Sequence, residues 1–436
     1  MLVIARISVE TFRMKHLLAL TAALALSAPA VAQDEPEGAP SPGEIVAEAP
    51  AAEWVTIAPE NLLVMTLAPD AKGNSRQVVI QLMPAPFSQG WVDNIRTLAR
   101  AKWYDGIAVV RVQDNYVVQW GDPNNDNPEA TGPAKPLPEG LKVMGEDEYL
   151  VDSDAMSEAS EIEVAFGTND TTQAADIHPA MKNIEAVFQD RAATEADHAA
   201  AIAEFLKVAG LMPTGLPSED EKLAMQSITP TATPTAPEGW HQRDSYSEWV
   251  EMWRGWPIAN YEIGKWFNQE DEEVPTPMVP RHVAAGMGLF KDVEESKFWP
   301  VHCYGMVGVG RGYSPDTGTG AELYTVIGHA PRHLDRNIAL VGRVVEGIEH
   351  LSSLPRGTGA LGFYETAEER VPIESIRVAS DLPEADQPGF EYLSTEGETF
   401  ARYAEARANR RAPFFIQPAG GADICNIPVP VRRVSR

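Results

Sequence analysis

The stretch Tyr104–Pro123, YDGIAVVRVQDNYVVQWGDP, decides how this chain is read. Two β-branched apolar runs, Ile107–Val112 and Tyr116–Gln119, flank the polar turn Gln113-Asp114-Asn115, the pattern of two short paired strands. Arg111 lies inside the first run, where a buried strand ordinarily carries an apolar residue. A guanidinium placed there either pairs with a carboxylate at the rim of a sheet or faces a pocket.

Upstream, ENLLVMTLA and RQVVIQLMP read as two further strands, separated by turn residues between Asp70 and Asn74. Ser88 stands where it would cap the segment GWVDNIRTLARAKW. There Trp91, Ile95, Leu98 and Ala99 recur at helical spacing and predict one buried face. Downstream, short strands and glycine turns return from Tyr304 on: YGMVGVGRG, AELYTVIGHA and IALVGRVV, then a short helix EGIEHLSSL and the strand VPIESIRVAS. The two strand-rich parts, 53–123 and 301–379, predict one mainly β barrel interrupted in sequence.

Residues 124–300 form the interruption, acidic and uneven. Helices are expected at AMKNIEAVFQDRA after Pro179 and at AAAIAEFLKVA, the latter with Thr194 and Asp197 as a capping box and Gly210 as its stop. ITPTATPTAPEG reads as a flexible internal linker. Trp253 and Trp256, within SEWVEMWRGW, suit one helical face. Residues 380–436 read as a polar C-terminal extension with one helical stretch, TFARYAEARANRR.

With 436 residues and 44% hydrophobic composition, the chain can build a sizeable core. Its 35 basic and 63 acidic residues leave a net charge of −28. No basic stripe is present, so nucleic acid is not an expected partner. The acidity suits solubility or, alternatively, an acidic recognition surface. Residues 1–32 have the make-up of a signal peptide: Arg6, Arg13 and Lys15 precede LLALTAALALSAPAVA, which closes on Ala30-Val31-Ala32. That run is too short and Ala-rich for a membrane span, so a chain starting near Gln33 and exported to a bacterial periplasm is expected. Residues 33–52 then read as a Pro- and Ala-rich tether. Cys303 and Cys425 are the only cysteines; in an oxidising compartment they are a candidate disulfide, with two buried thiols as the alternative.

The order of these segments resembles the cyclophilin-type peptidyl-prolyl isomerases. YDG, the Arg-bearing strand and YVVQWGD parallel the family's Tyr-Asp-Gly, Phe-His-Arg and Phe-x-x-Gln-Gly-Gly-Asp. GMVGVGRGYSPDTGTGAELYTVIG parallels its Met-Ala-Arg turn running into Ser-Gln-Phe-Phe-Ile, and HLDRNIALVGRVVEGIEHL parallels Trp-Leu-Asp-Gly, Phe-Gly-x-Val and the closing helix. The resemblance covers residues 53–123 and 301–379. It implies an eight-stranded antiparallel barrel capped by two helices and no metal or organic cofactor. The implied partners are proline-containing segments of unfolded or exported proteins.

The same resemblance assigns the site. Arg111 matches the catalytic arginine and Gln119 the glutamine that hydrogen-bonds the substrate backbone. Tyr116, Val117, Tyr324 and Leu334 match apolar pocket positions, and Gly310 a small groove residue. Four departures stand out: Val110 for a His, Trp120 for a Gly, His333 for the pocket-edge Trp and Ile338 for a His or Tyr. A fifth is Glu322, where the family has Gln; a carboxylate there is expected to form a buried ion pair with Arg111 and weaken turnover. A catalytically weak or inactive peptide-binding module, with a partner-binding insertion, is the alternative reading. Other patterns carry less. Pro331 keeps His329 and His333 off a shared helical face, DPNNDNPEATG lacks the closing glutamate of a calcium loop, and no helix follows Gly308, Gly310 and Gly312.

Overall fold

The computed structural model describes residues 38–125, 130–159, 244, 246–268, 273–274 and 289–434. The signal peptide read at 1–32, both helices expected between 180 and 209 and the Pro/Thr linker lie outside the described residues.

Eight antiparallel strands close a barrel: β1 Leu62–Leu67, β2 Arg76–Leu82, β3 Ala108–Val112, β4 Val117–Gly121, β5 Met306–Val309, β6 Leu323–Val326, β7 Leu340–Glu346 and β8 Val371–Val378. Around the barrel they run β5-β6-β4-β3-β8-β1-β2-β7, with β7 returning to β5. The halves interlock, since β6 pairs with β4, β7 with β2, and β8 fills the gap between β3 and β1. Neither half can close its own edges, so the interruption between them is tolerated only because both ends return to the same sheet. Leu63, Met65, Val78, Ile80 and Ile376 fill the interior, and Trp91, Ile95 and Leu98 of helix α1, Gln89–Arg100, pack on it. Ser88 precedes α1 as expected, but in a left-handed conformation with no hydrogen bond from its side chain to the helix. Of the two capping helices expected, the second is a single turn, α2 Glu349–Ser352.

The insertion folds differently from the sequence expectation. Trp249–Trp253 and Trp256–Phe267 are strands of a hairpin, not a helix, and Trp253 pairs across from Trp256. The two residues between them, Arg254 and Gly255, have φ of 47° and 80°, the left-handed pair that a tight hairpin turn requires. A spacing of three, which fits one face of a helix, fits equally a strand that reverses in two residues. Val151–Asp152, Phe290–Pro300 and Glu273–Val274 complete this sheet. Its turn is fastened to the barrel by Arg343 of β7, which donates from Nε to Gln81 Oε1 (2.8 Å) and from Nη1 to the Gly255 carbonyl (2.6 Å), with its guanidinium over the Trp256 ring.

Both ends of the described residues, 38–57 and 389–434, fold back toward the barrel. Within the expected tether, Pro42–Ala47 is a helix closed by a reciprocal Ser41–Glu44 capping box, and Ile45 is buried; two orphan donors are satisfied at once, which a Pro-rich composition does not reveal. Gly389–Leu393 pairs with Trp54–Ile57 on one side and Val431–Val434 on the other. Cys303 and Cys425 are joined in a disulfide across 122 residues of chain, with Cα atoms 5.0 Å apart. In the chain-entropy view such a long loop constrains the unfolded state by roughly 4–5 kcal/mol.

Candidate active site

Strand β3 answers the question that Arg111 raises. The β3–β4 register shifts between Val109, opposite Trp120, and Arg111, opposite Gln119. Val110 is the extra residue of a bulge, and bulges re-aim the side chains beside them. Val109 and Val112 stay fully buried while Arg111 turns to a half-buried position. Its Nη1 donates to Gln119 Oε1 (2.9 Å), its Nε to the Leu361 carbonyl (2.6 Å), and its Nη2 to Gln113 Oε1. The rings of Tyr116 and Phe363 stand 5.6 and 5.5 Å from its Cζ. Burial lowers the Arg111 pKa, while Tyr116 and Glu322 oppose that shift. A guanidinium so placed remains a cation at neutral pH.

Beside Arg111 opens a pocket of about 110 Å³, walled by Tyr116, Val117, Gly310, Tyr324, Leu334 and Ile338, with Gln119 at its edge. Val117, Tyr324 and Val326 are buried together there, with Tyr116, Leu334 and Ile338 packed against them. A wider depression of about 520 Å³ adjoins it and shares Arg111, Gln119 and Gly310; Val110, Glu322 and Phe363 line only this second space. A Cβ on Gly310 would come within 2.8 Å of the Glu322 side chain, so a residue without one keeps the two spaces continuous.

Eight of the ten residues assigned from sequence thus meet at one pocket. His333 does not line it; the ring stacks on Tyr116 at 6.1 Å, outside the wall. Glu322 lies in the wider depression, and its link to Arg111 runs through Gln119 in place of the expected direct ion pair: Gln119 Nε2 donates to Glu322 Oε1 while Gln119 Oε1 accepts from Arg111. The interposed amide is possible because Gln119 and Tyr324, the residue two after Glu322, are cross-strand partners. Trp120 is fully buried in the core rather than in the groove. Leu361 and Phe363 were not legible as site residues. Their one signal was the glycine-spaced loop GTGALGF, whose Gly362 has φ 81° and whose backbone approaches Gln113 closely.

Residues 74–161 match the family model described as cyclophilin type peptidyl-prolyl cis-trans isomerase/CLD. This is a cyclophilin-type domain. Two solved structures are similar to the chain. One is the cyclophilin AquaCyp293 from Hirschia baltica, 18% identical, covering 90% of this chain and 96% of that one with a TM-score of 0.48. The other is a Cryptosporidium parvum cyclophilin type peptidyl-prolyl cis-trans isomerase crystallised in the presence of the dipeptide Ala-Pro. It is 8% identical, covering 72% and 97%, with a TM-score of 0.26. No curated protein sequence matches. The matched family is that of the peptidyl-prolyl cis-trans isomerases, which in general bind proline-containing peptides.

That chemistry needs no nucleophile or base. A peptide bond resists rotation by ~18–20 kcal/mol of resonance, and X-Pro bonds isomerise unaided over tens of seconds. Catalysis consists of binding the twisted amide better than the planar one.

Proposed function

We propose that this cyclophilin-type domain isomerises X-Pro bonds in exported proteins by arginine-assisted twisting of the amide. The proline ring sits in the pocket walled by Tyr116, Val117, Tyr324, Leu334 and Ile338, and is held while the preceding carbonyl swings. In the twisted state the prolyl nitrogen regains its lone pair, and a fixed N–H donor aimed at it stabilises that state selectively. The observation that carries the reading is the bonding of Arg111. Three of a guanidinium's five N–H groups are taken up by Leu361, Gln119 and Gln113, which lock the fork in place and leave one N–H on each Nη. Gln119, at the same edge, is the residue placed to hold the substrate backbone.

A protease-coupled assay on an Ala-Pro peptide tests this. One charge-assisted hydrogen bond contributes about 1.5–3 kcal/mol, so Arg111→Ala lowers kcat/KM by about 10- to 100-fold. Wild type and variant turning over equally slowly would leave the second reading, a peptide-binding module, which the Glu322–Gln119–Arg111 chain favours by occupying the glutamine.

The substrates follow from export. The Arg- and Lys-led, Ala-rich run at 1–32 and the Cys303–Cys425 disulfide both support an oxidising compartment, the periplasm. Mass spectrometry of chain recovered from the periplasm is expected to give an N terminus near Gln33; an uncleaved leader in the cytoplasm would overturn the assignment.

A further inference from the structure

Beneath the pocket runs a second polar chain that the isomerase chemistry does not use. Tyr324, the pocket's floor, shares a 2.8 Å hydrogen bond between its hydroxyl and His302 Nε2. His302 Nδ1 lies 2.9 Å from Asp335 Oδ1, and the His302 backbone N–H donates to the same oxygen at 3.0 Å. Asp335 Oδ2 accepts from Arg332 Nε at 2.6 Å. Arg332 in turn grips Asp244 with both terminal nitrogens, Nη1 to Oδ2 at 2.6 Å and Nη2 to Oδ1 at 3.1 Å. The ionisable side chains of His302, Asp335, Arg332 and Asp244 are 1–3% exposed. Asp244 belongs to the insertion; the other four residues belong to the barrel half that carries β5 to β8.

The chain has a direction. A carboxylate at Nδ1 fixes the proton there, so in the neutral ring Nε2 is the acceptor and Tyr324 donates to it. His302 has no freedom to follow a shifting tyrosine: its backbone is tied to Asp335 and its neighbour Cys303 to Cys425. Space for the hydroxyl comes from Gly308, where a Cβ would collide with it. A phenylalanine would give the same apolar floor without any of these contacts. Burying two carboxylates and a guanidinium costs several kcal/mol unless every lone pair is answered, so a chain this complete has a specific geometric consequence. That consequence is the placement of the Tyr324 ring.

We propose that His302, Asp335 and Arg332 are positioning residues that couple Asp244 of the insertion to Tyr324, which sets how well the pocket grips proline. A partner that draws Asp244 away from Arg332 then loosens peptide binding without touching the groove. The proposal rests on the pocket's being the proline site, and its test reads binding rather than turnover.

The affinity of a blocked tetrapeptide with a central Ala-Pro bond is measured by calorimetry for wild type, Asp244→Asn, Tyr324→Phe and the double variant. Each single change is expected to weaken binding about 3- to 10-fold, and the double variant no more than the weaker single one, because both cut one chain. Asp244→Glu, which keeps the charge, is expected to restore most of the loss. Effects that multiply in the double variant, or an unchanged affinity in Asp244→Asn, would overturn the coupling. Should Asp244→Asn fail to fold, Arg332→Lys, which gives up the two-pronged grip but keeps the charge, is read in its place by the same criterion. Wild type that binds the peptide with no isomerase turnover would sink only the catalytic reading and leave the coupling standing. Wild type that does not bind the peptide would sink the proline-site reading.

Discussion

The proline pocket is served by two polar chains of opposite character. At its rim, Arg111, Gln119 and Glu322 are all partly exposed and linked through a neutral amide. Under its floor, Tyr324, His302, Asp335, Arg332 and Asp244 are sealed from water and linked mostly through charges. Within the rim chain the amide of Gln119 can turn when substrate arrives, because water competes for its partners and no ion is stranded when one bond breaks. The floor chain resists this, because breaking a link between its ionised members leaves a buried charge without its partner. The amide that meets the substrate backbone therefore sits where rearrangement is cheap, and the shape of the pocket is set where it is expensive.

The sharpest way to break this contrast is at Asp335. Removing one member of a buried ionic set costs about 3–5 kcal/mol, so Asp335→Ala is expected to lose that much stability in urea unfolding. A loss below about 1 kcal/mol would mean that the floor is as forgiving as the rim. The same residue gives the floor a pH signature. Burial alone would raise the Asp335 pKa, but the His302 hydrogen bond and the charge and hydrogen bond of Arg332 outweigh it and hold it below the ordinary carboxylate range. The folded chain thus binds this proton less readily than the unfolded chain does. The stabilisation is fully present above the ordinary carboxylate pKa and is lost as pH falls through the lower folded value. Unfolding midpoints compared at pH 7 and pH 3 should fall by less in Asp335→Asn than in wild type; equal falls would remove Asp335 as the source.

How much of this was legible in sequence depends on which residues sit in a repeating context. The barrel was, because VVRVQDNYVVQW and RQVVIQL carry short β-branched apolar runs set off by turn residues. Arg111 was, because a cation interrupts such an apolar run. The Trp253–Trp256 hairpin was not, since two tryptophans three apart satisfy either period and only the φ of Arg254 and Gly255 decides. His302 carried no signal either. It precedes β5 outside any pattern, and its partners are 22 and 33 residues away. Arg336 illustrates the same limit: it stands at the glycine of the Trp-Leu-Asp-Gly pattern yet holds φ 64°, a conformation costly for a side chain, with its guanidinium over Trp299. Glu322 was expected to meet Arg111 directly, and nothing linear shows Gln119 lying between the two.

The rim offers the smaller and finer test, Arg111→Ala being its upper bound. An ionised carboxylate only accepts hydrogen bonds, so Glu322 obliges Gln119 to present its NH₂ group to the carboxylate and its carbonyl to Arg111. Both ends of the amide are then occupied before substrate enters. Glu322→Gln supplies donor and acceptor alike, which frees Gln119 to turn either way, and it removes a negative charge beside the cation. Exposed charge interactions of this kind are worth about 0.5–1 kcal/mol, so kcat/KM on the Ala-Pro peptide is expected to rise about two- to five-fold, with stability nearly unchanged. An unaltered rate would mean that the amide of Gln119 reorients freely in wild type. Glu322 would then be a bystander, and the rim would owe its activity to Arg111 alone.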